Sequence, residues 1–144
     1  MQAMAGRRLT ITWMILGILT ISGIGIQFIP VKRINPPIRS ALSAPPEIKA
    51  ILKRSCYDCH SHETVWPWYS AIAPVSWLVV RDVNEGREKL NFSDWSRQLR
   101  DKDIQEEIIE EIEEGEMPLK LYVLAHPGTS VSPEELDLLR RWTP

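Results

Sequence analysis

Residues Leu9 to Ile29, LTITWMILGILTISGIGIQFI, form a run of 21 residues without one charged side chain. As a helix this run is about 31 Å long, close to the thickness of a bilayer's hydrocarbon core. The apolar core of a signal peptide is shorter, about 7–15 residues, and ends at a small-residue site, which is not seen before Pro30. A single domain of this size rarely hides so long an apolar element. Residues 1–30 are therefore expected to be an uncleaved N-terminal membrane anchor, with its helix over about 9–29; a removed signal is the alternative. Arg7 and Arg8 precede the run, while Lys32, Arg33 and Arg39 follow it, so the positive-inside rule does not orient it.

The 144-residue chain has room for about one domain behind that anchor. All 19 acidic residues follow the run, against 15 of the Lys and Arg, so the downstream part carries a charge of −4. That balance disfavours a nucleic-acid binder, which needs a basic footprint. An apolar fraction of 44% excludes a disordered chain, and two cysteines exclude a disulfide scaffold. Pro30, Pro36, Pro37, Pro45 and Pro46 mark an extended stretch, read as a tether over 31–43 that holds a domain of residues 44–144 off the membrane.

That domain reads as all-α. Ile48, Ile51 and Leu52 share one face of a helix over Glu47–Ser55. Val79, Val83, Gly86 and Leu90 do so over Pro74–Leu90. Ile104, Ile108, Ile109 and Ile112 do so over Asp103–Glu114, with Gly115 as the stop. Ser132-Pro133-Glu134-Glu135 has a capping serine, a proline at the first helical position and a glutamate at the capping-box position. Leu136, Leu139 and Trp142 form the inward face of that last helix. No segment alternates with the period of a strand.

Both cysteines fall in Cys56-Tyr57-Asp58-Cys59-His60. C-x-x-C-H is the attachment pattern of a c-type haem. Two thiols at this spacing reach the two vinyl groups of one porphyrin edge, and the adjacent histidine becomes the proximal iron ligand. Three other readings compete, one of them an inert structural disulfide in an exported domain. A thiol–disulfide site normally follows a strand, whereas the lead-in here is helical. A zinc site would need Cys56 and Cys59 with two of His60, His62 and His126, and no second ligand pair stands at the usual spacing.

The one methionine beyond the anchor is Met117, on a loop beside Pro118, 57 residues after His60. It is the candidate distal ligand; packing on the core is the plainer fate of a lone methionine. His126 is its rival. His62 is too near His60 to reach the opposite face of a porphyrin and is expected to be a solvated surface histidine. Trp66, Trp68, Tyr69, Trp77 and Tyr122 are candidates for the haem pocket, with core packing as the alternative; Trp95 and Trp142 are expected in the core. Asp101 to Glu116 carries nine carboxylates and one lysine, a solvated helix face that could also steer a basic partner.

Beyond C-x-x-C-H, the strings Trp66-Pro67-Trp68-Tyr69, Ala73-Pro74-Val75-Ser76-Trp77, Arg81-Asp82-Val83, Gly86-Arg87, Leu90-Asn91-Phe92-Ser93, Met117-Pro118 and His126-Pro127 give the chain a family likeness. It resembles the haem-binding domain family of bacterial, membrane-anchored, single-haem c-type cytochromes, from about residue 44 to the C-terminus. The resemblance implies Cys56 and Cys59 as thioether residues, His60 as proximal ligand and Met117 as distal ligand. It implies a helical domain like that of the small mono-haem cytochromes c, with one covalent haem c. It also implies that the domain lies outside the cytoplasmic membrane, on the periplasmic side of a single-pass anchor, because haem is attached there. The expected function is single-electron transfer to a redox partner protein rather than catalysis. The alternatives are a haem-based gas or redox sensor and a haem-free zinc or thiol module.

Overall fold

The computed structural model describes residues 2–98 and 104–142. Among them are eight α-helices and no β-strand: α1 (Gln2–Gly25), α2 (Pro46–Ser55), α3 (Tyr57–His60), α4 (Val75–Lys89), α5 (Trp95–Gln98), α6 (Ile104–Glu113), α7 (Lys120–Ala125) and α8 (Pro133–Arg141). Single 3₁₀ turns cover Ile26–Phe28 and Trp68–Ala71. The fold is all-α, as expected. The chain divides into two compact units, residues 1–33 with 67–80 and residues 34–66 with 81–144.

The first unit is built on α1, which is apolar around its whole circumference. The stretch Ile11–Phe28 has a mean hydropathy of 1.8 and no buried residue. It is long and apolar enough to cross a membrane. Gln27, at the end of this stretch, is tied to the Ala73 backbone, and Arg33 Nη1 donates to Ser70 Oγ at 3.4 Å.

The second unit holds the core. Leu42, Ile48, Ile51, Leu52, Tyr57, Phe92, Trp95, Ile104, Leu139 and Trp142 are buried together. Four of its rings form a row. Tyr57 stacks on Phe92 at 5.1 Å between centroids, Phe92 on Trp95 at 5.8 Å and Trp95 on Trp142 at 6.5 Å. Trp95 and Trp142 are thus core residues, as their sequence setting suggested. The helix ends follow the sequence signals. Pro46 opens α2, and Ser132 caps α8 through a reciprocal capping box with Glu135. Gly115, at φ +72°, ends the α6 segment in a conformation that favours glycine. Arg54 on α2 grips Glu135 on α8 with two parallel bonds of 2.7 and 2.8 Å, which holds the Glu135 carboxyl below its usual range. Gln105 Nε2 donates to the carbonyls of Leu139 and Trp142, joining α6 to α8.

Two expectations shift. On α4 the buried positions are Ser76, Val80, Val83 and Gly86, so Val80 replaces Val79 on the inward stripe. Spacings of four and three residues keep that stripe on one line of the helix. The segment expected as a tether is extended, but from residue 34 onward it is stitched to the second unit. Arg39 and Ser40 N–H donate to the Ser93 carbonyl at 2.9 and 3.1 Å, Leu42 N–H donates to the Phe92 carbonyl at 2.9 Å, and Arg87 Nη1 donates to the Ile34 carbonyl at 2.8 Å. Its proline content fixes φ without supplying donors, which suits a strap as well as a spacer. Asp101, Lys102 and Asp103 of the acidic stretch lie outside the described residues.

Phe92 is 1% exposed and sits second in the aromatic row. Phe92→Ala is expected to cost about 3–5 kcal/mol. A urea unfolding curve should show the loss as a lowered midpoint, and an unchanged midpoint would contradict this core.

Candidate haem site

The site is assembled around the end of α2, the short α3 and the last turn of α4. Cys56 caps α2 and opens α3, so Cys56, Cys59 and His60 lie within one tight turn; Cys59 and His60 N–H both donate to the Cys56 carbonyl. Phe92 N–H in turn donates to the His60 carbonyl at 2.8 Å, which fastens the motif to the aromatic core.

The ring of His60 is fixed from one side. Its Nδ1–H points between the carbonyls of Gly86, at 2.9 Å, and Leu90, at 3.2 Å. A neutral imidazole has one N–H, so this arrangement leaves Nε2 as the unprotonated, ligating nitrogen. Burial pushes the His60 pKa below its ordinary value, against the raising effect of the two carbonyls, and so favours that neutral form.

Gly86 makes the approach possible. A Cβ at this position would stand 2.8 Å from the Cys59 carbonyl oxygen and 3.3 Å from Cys59 Cβ. The obstacle is backbone, so it cannot swing aside, and only glycine lets α4 lie against the Cys–His turn.

A cavity of about 510 Å³ opens beside this turn. That volume is in the range of small-molecule and cofactor sites, roughly 300–1,000 Å³. Cys56, His60 and Met117 all line it. Its apolar wall includes Leu90, Phe92, Ile108 and Ile112. Ile108 and Ile112 are half-buried on this wall. Ser55 also lines the cavity, and its Oγ is buried without a hydrogen-bond partner among the described residues. Glu107, Glu110, Glu111 and Glu114 from the α6 region stand against one cation, Lys89.

The remaining sequence candidates lie elsewhere. None of Trp66, Trp68, Tyr69, Trp77 and Tyr122 lines the cavity. Trp68, Tyr69 and Trp77 belong to the first unit. Trp66 Nε1 donates to Asn35 Oδ1 at 3.2 Å. Tyr122 OH donates to Asp58 Oδ2 at 2.8 Å, which ties α7, just after Met117, back to the Cys–His motif. His126 packs on the Tyr122 ring at 4.3 Å and does not line the cavity. His62 is not a solvated surface histidine. Its Nδ1 meets the Pro37 carbonyl and its Nε2 meets Asn91 Nδ2, both at 2.9 Å, so a backbone acceptor and an amide donor hold the ring.

Arg87 stands in the Gly86-Arg87 string, yet the sequence alone assigned it no role. Its guanidinium donates to the carbonyls of Ser61 and Ile34, to Asn35 Oδ1 and to Thr64 Oγ1, all within 2.9 Å. All four acceptors are neutral, and burial lowers its pKa. It acts as a staple between α4, the strap and the loop after the motif. The sequence signal was its place one residue after Gly86.

A family model described as "Haem-binding domain" matches residues 21–144. The chain belongs to the haem-binding domain family. No curated protein and no solved structure matches it. The chemistry of the cavity fits a haem: one imidazole with a free Nε2, one thioether, the Cys56 thiol and an apolar wall; Cys59 belongs to the same turn but does not line the cavity. The thiols fit thiolate chemistry less well. Burial pushes Cys56 up to about 12 and Cys59 up to about 11, with neighbouring charge adding to each. Redox-active cysteines depend on lowered values instead. Among the described residues no group of three or more His, Cys, Asp or Glu side chains could hold a metal ion.

Two outcomes follow. Gly86→Ala should cost about 1–3 kcal/mol through overpacking against the Cys59 carbonyl, read from urea unfolding; a neutral effect would contradict the close approach. In the haem-free chain, alkylation by iodoacetamide should be slow at pH 8 and accelerate only towards pH 11–12. Because the unfolded thiols lose their protons first, stability should fall as pH rises from about 9 through that range. Both cysteines are only half-buried, so rapid alkylation of the folded chain at pH 8 would contradict the upward shift itself.

Proposed function

We propose that this haem-binding protein is a membrane-anchored c-type cytochrome that carries single electrons outside the cytoplasmic membrane. The observation that carries the reading is that Cys56, His60 and Met117 line one apolar cavity while the Nδ1–H of His60 is already committed to backbone carbonyls. Cys56 and Cys59 would form the thioethers, His60 the proximal bond through Nε2, and Met117 the distal bond through sulfur. The haem iron would supply a reversible one-electron change, and a thioether ligand favours the ferrous state.

The chain's own residues do the rest. Gly86 and Leu90 hold the imidazole in one tautomer and one orientation, so little needs to rearrange when the charge at the site changes. Leu90, Phe92, Ile108 and Ile112 would give a bound haem an apolar wall that excludes water. Glu107, Glu110, Glu111 and Glu114 give the cavity a negative border, complementary to a basic partner protein. The apolar α1 would anchor the domain in the cytoplasmic membrane with the domain on the periplasmic side, where c-type haem is attached. Confinement to the membrane plane would raise its effective concentration near membrane redox partners. The strap from residue 34 to 43 would then act as part of the domain rather than as a spacer.

The protein should be made with the c-type maturation machinery and denatured. Haem should remain on the peptide containing Cys56 and Cys59, as read by mass spectrometry. The wild-type ferrous form should not bind carbon monoxide at neutral pH, whereas Met117→Ala should bind it and shift the reduction potential. Haem lost on denaturation would contradict covalent attachment. Carbon monoxide binding by the wild type would favour the sensor alternative.

A further inference from the structure

From Val65 to Val80 the chain has no charged residue, although a quarter of the whole sequence is charged. Burial does not account for this run. Within the first unit Trp68 is 77% exposed, Leu78 49%, Ile72 46% and Val75 41%. Four large apolar side chains thus face outward within eleven residues, more than scattered surface hydrophobics explain.

The segment is held by the end of the apolar helix region. Gln27 and the backbone of Ala73 exchange two hydrogen bonds: Gln27 Nε2 donates to the Ala73 carbonyl at 2.9 Å, and Ala73 N–H donates to Gln27 Oε1 at 3.0 Å. Gln27 falls one residue before the end of the Ile11–Phe28 stretch. In a spanning helix that is the depth where hydrocarbon gives way to headgroups. Tryptophan and tyrosine concentrate at that depth, and Trp68 and Tyr69 stand in this segment. Lys32 and Arg33, both exposed, follow directly. Arg33 also lines a polar cleft of about 180 Å³ with Gln27, Ser70 and Ser76. An apolar surface bordered by cations and fixed at the end of a span matches an anionic bilayer surface.

We propose that residues 68–78 form a second membrane contact, in which Trp68, Ile72, Val75 and Leu78 enter the headgroup–acyl boundary of the leaflet at the end of α1 while Lys32 and Arg33 face anionic headgroups. The proposal rests on reading α1 as a membrane span. The first unit is then a span with an interfacial lobe, and the membrane covers the apolar run that the protein leaves open.

The test uses the full-length holoprotein in liposomes of phosphatidylethanolamine and phosphatidylglycerol that contain a phospholipid with a diazirine on its acyl chain close to the headgroup. After irradiation, peptide mapping locates the lipid adducts. Adducts are expected both within residues 11–28 and within 68–78. The triple variant Trp68→Ser, Ile72→Ser, Leu78→Ser should lose those of 68–78 several-fold and keep those of 11–28, with the haem spectrum unchanged as the check on folding. Adducts within 11–28 alone would overturn the second contact and leave the anchor intact. Adducts in neither segment would overturn the anchor, and the contact with it. A dimer in the same liposomes with 68–78 free of lipid adducts would assign the surface to a second copy and also overturn the proposal.

Discussion

The second unit depends on the grip between the His60 ring and the last turn of α4. Its Nδ1–H is held by the carbonyls of Gly86 and Leu90. The Gly86 carbonyl also accepts the Leu90 N–H at 2.9 Å, so the ring adds a second bond to a carbonyl of the last turn of α4. The same contact sets the chemistry, because it fixes which nitrogen faces the cavity. Gly86 is the steric condition for the contact and Arg87 its reinforcement. Two adjacent residues therefore decide both how α4 packs and how the histidine is presented.

The loop chemistry extends this grip outward. Phe92, just past α4, joins the motif to the aromatic row. His62 links the strap to Asn91, and Arg87 links it to Ser61 and Thr64. Tyr122 returns from α7 to Asp58 inside the motif. The Met117 loop is thus bracketed by α6 before it and by a hydrogen bond to the motif shortly after it. A small domain with a large apolar cavity needs such cross-links, because its core alone is modest.

Much of this was legible in the sequence. The apolar run of α1, the capping box at Ser132, the stop at Gly115 and the isoleucine face of α6 are local signals, and local physics honours them. The Cys56–His60 motif and Met117 were legible because their chemistry is specific. What escaped was long-range. Nothing near His62 reveals that Asn91 and the Pro37 carbonyl will take both its nitrogens. Nothing in a Pro-rich strap reveals that Arg87 and Ser93 will bind its backbone. Trp66, Trp68 and Trp77 misled for a related reason: abundance beside the motif suggested a pocket, yet none of them lines the cavity and Trp68 faces outward. Aromatic residues report apolar demand, and only the fold says which surface makes it.

The proposed cytochrome would hold its haem iron through His60 and Met117. Near-infrared magnetic circular dichroism of the ferric holoprotein decides this, because the charge-transfer band depends on both iron ligands. A histidine–methionine signature in a low-spin spectrum is expected, replaced by another when Met117 is changed to alanine. A bis-histidine signature, or a high-spin spectrum in the unaltered protein, would contradict it.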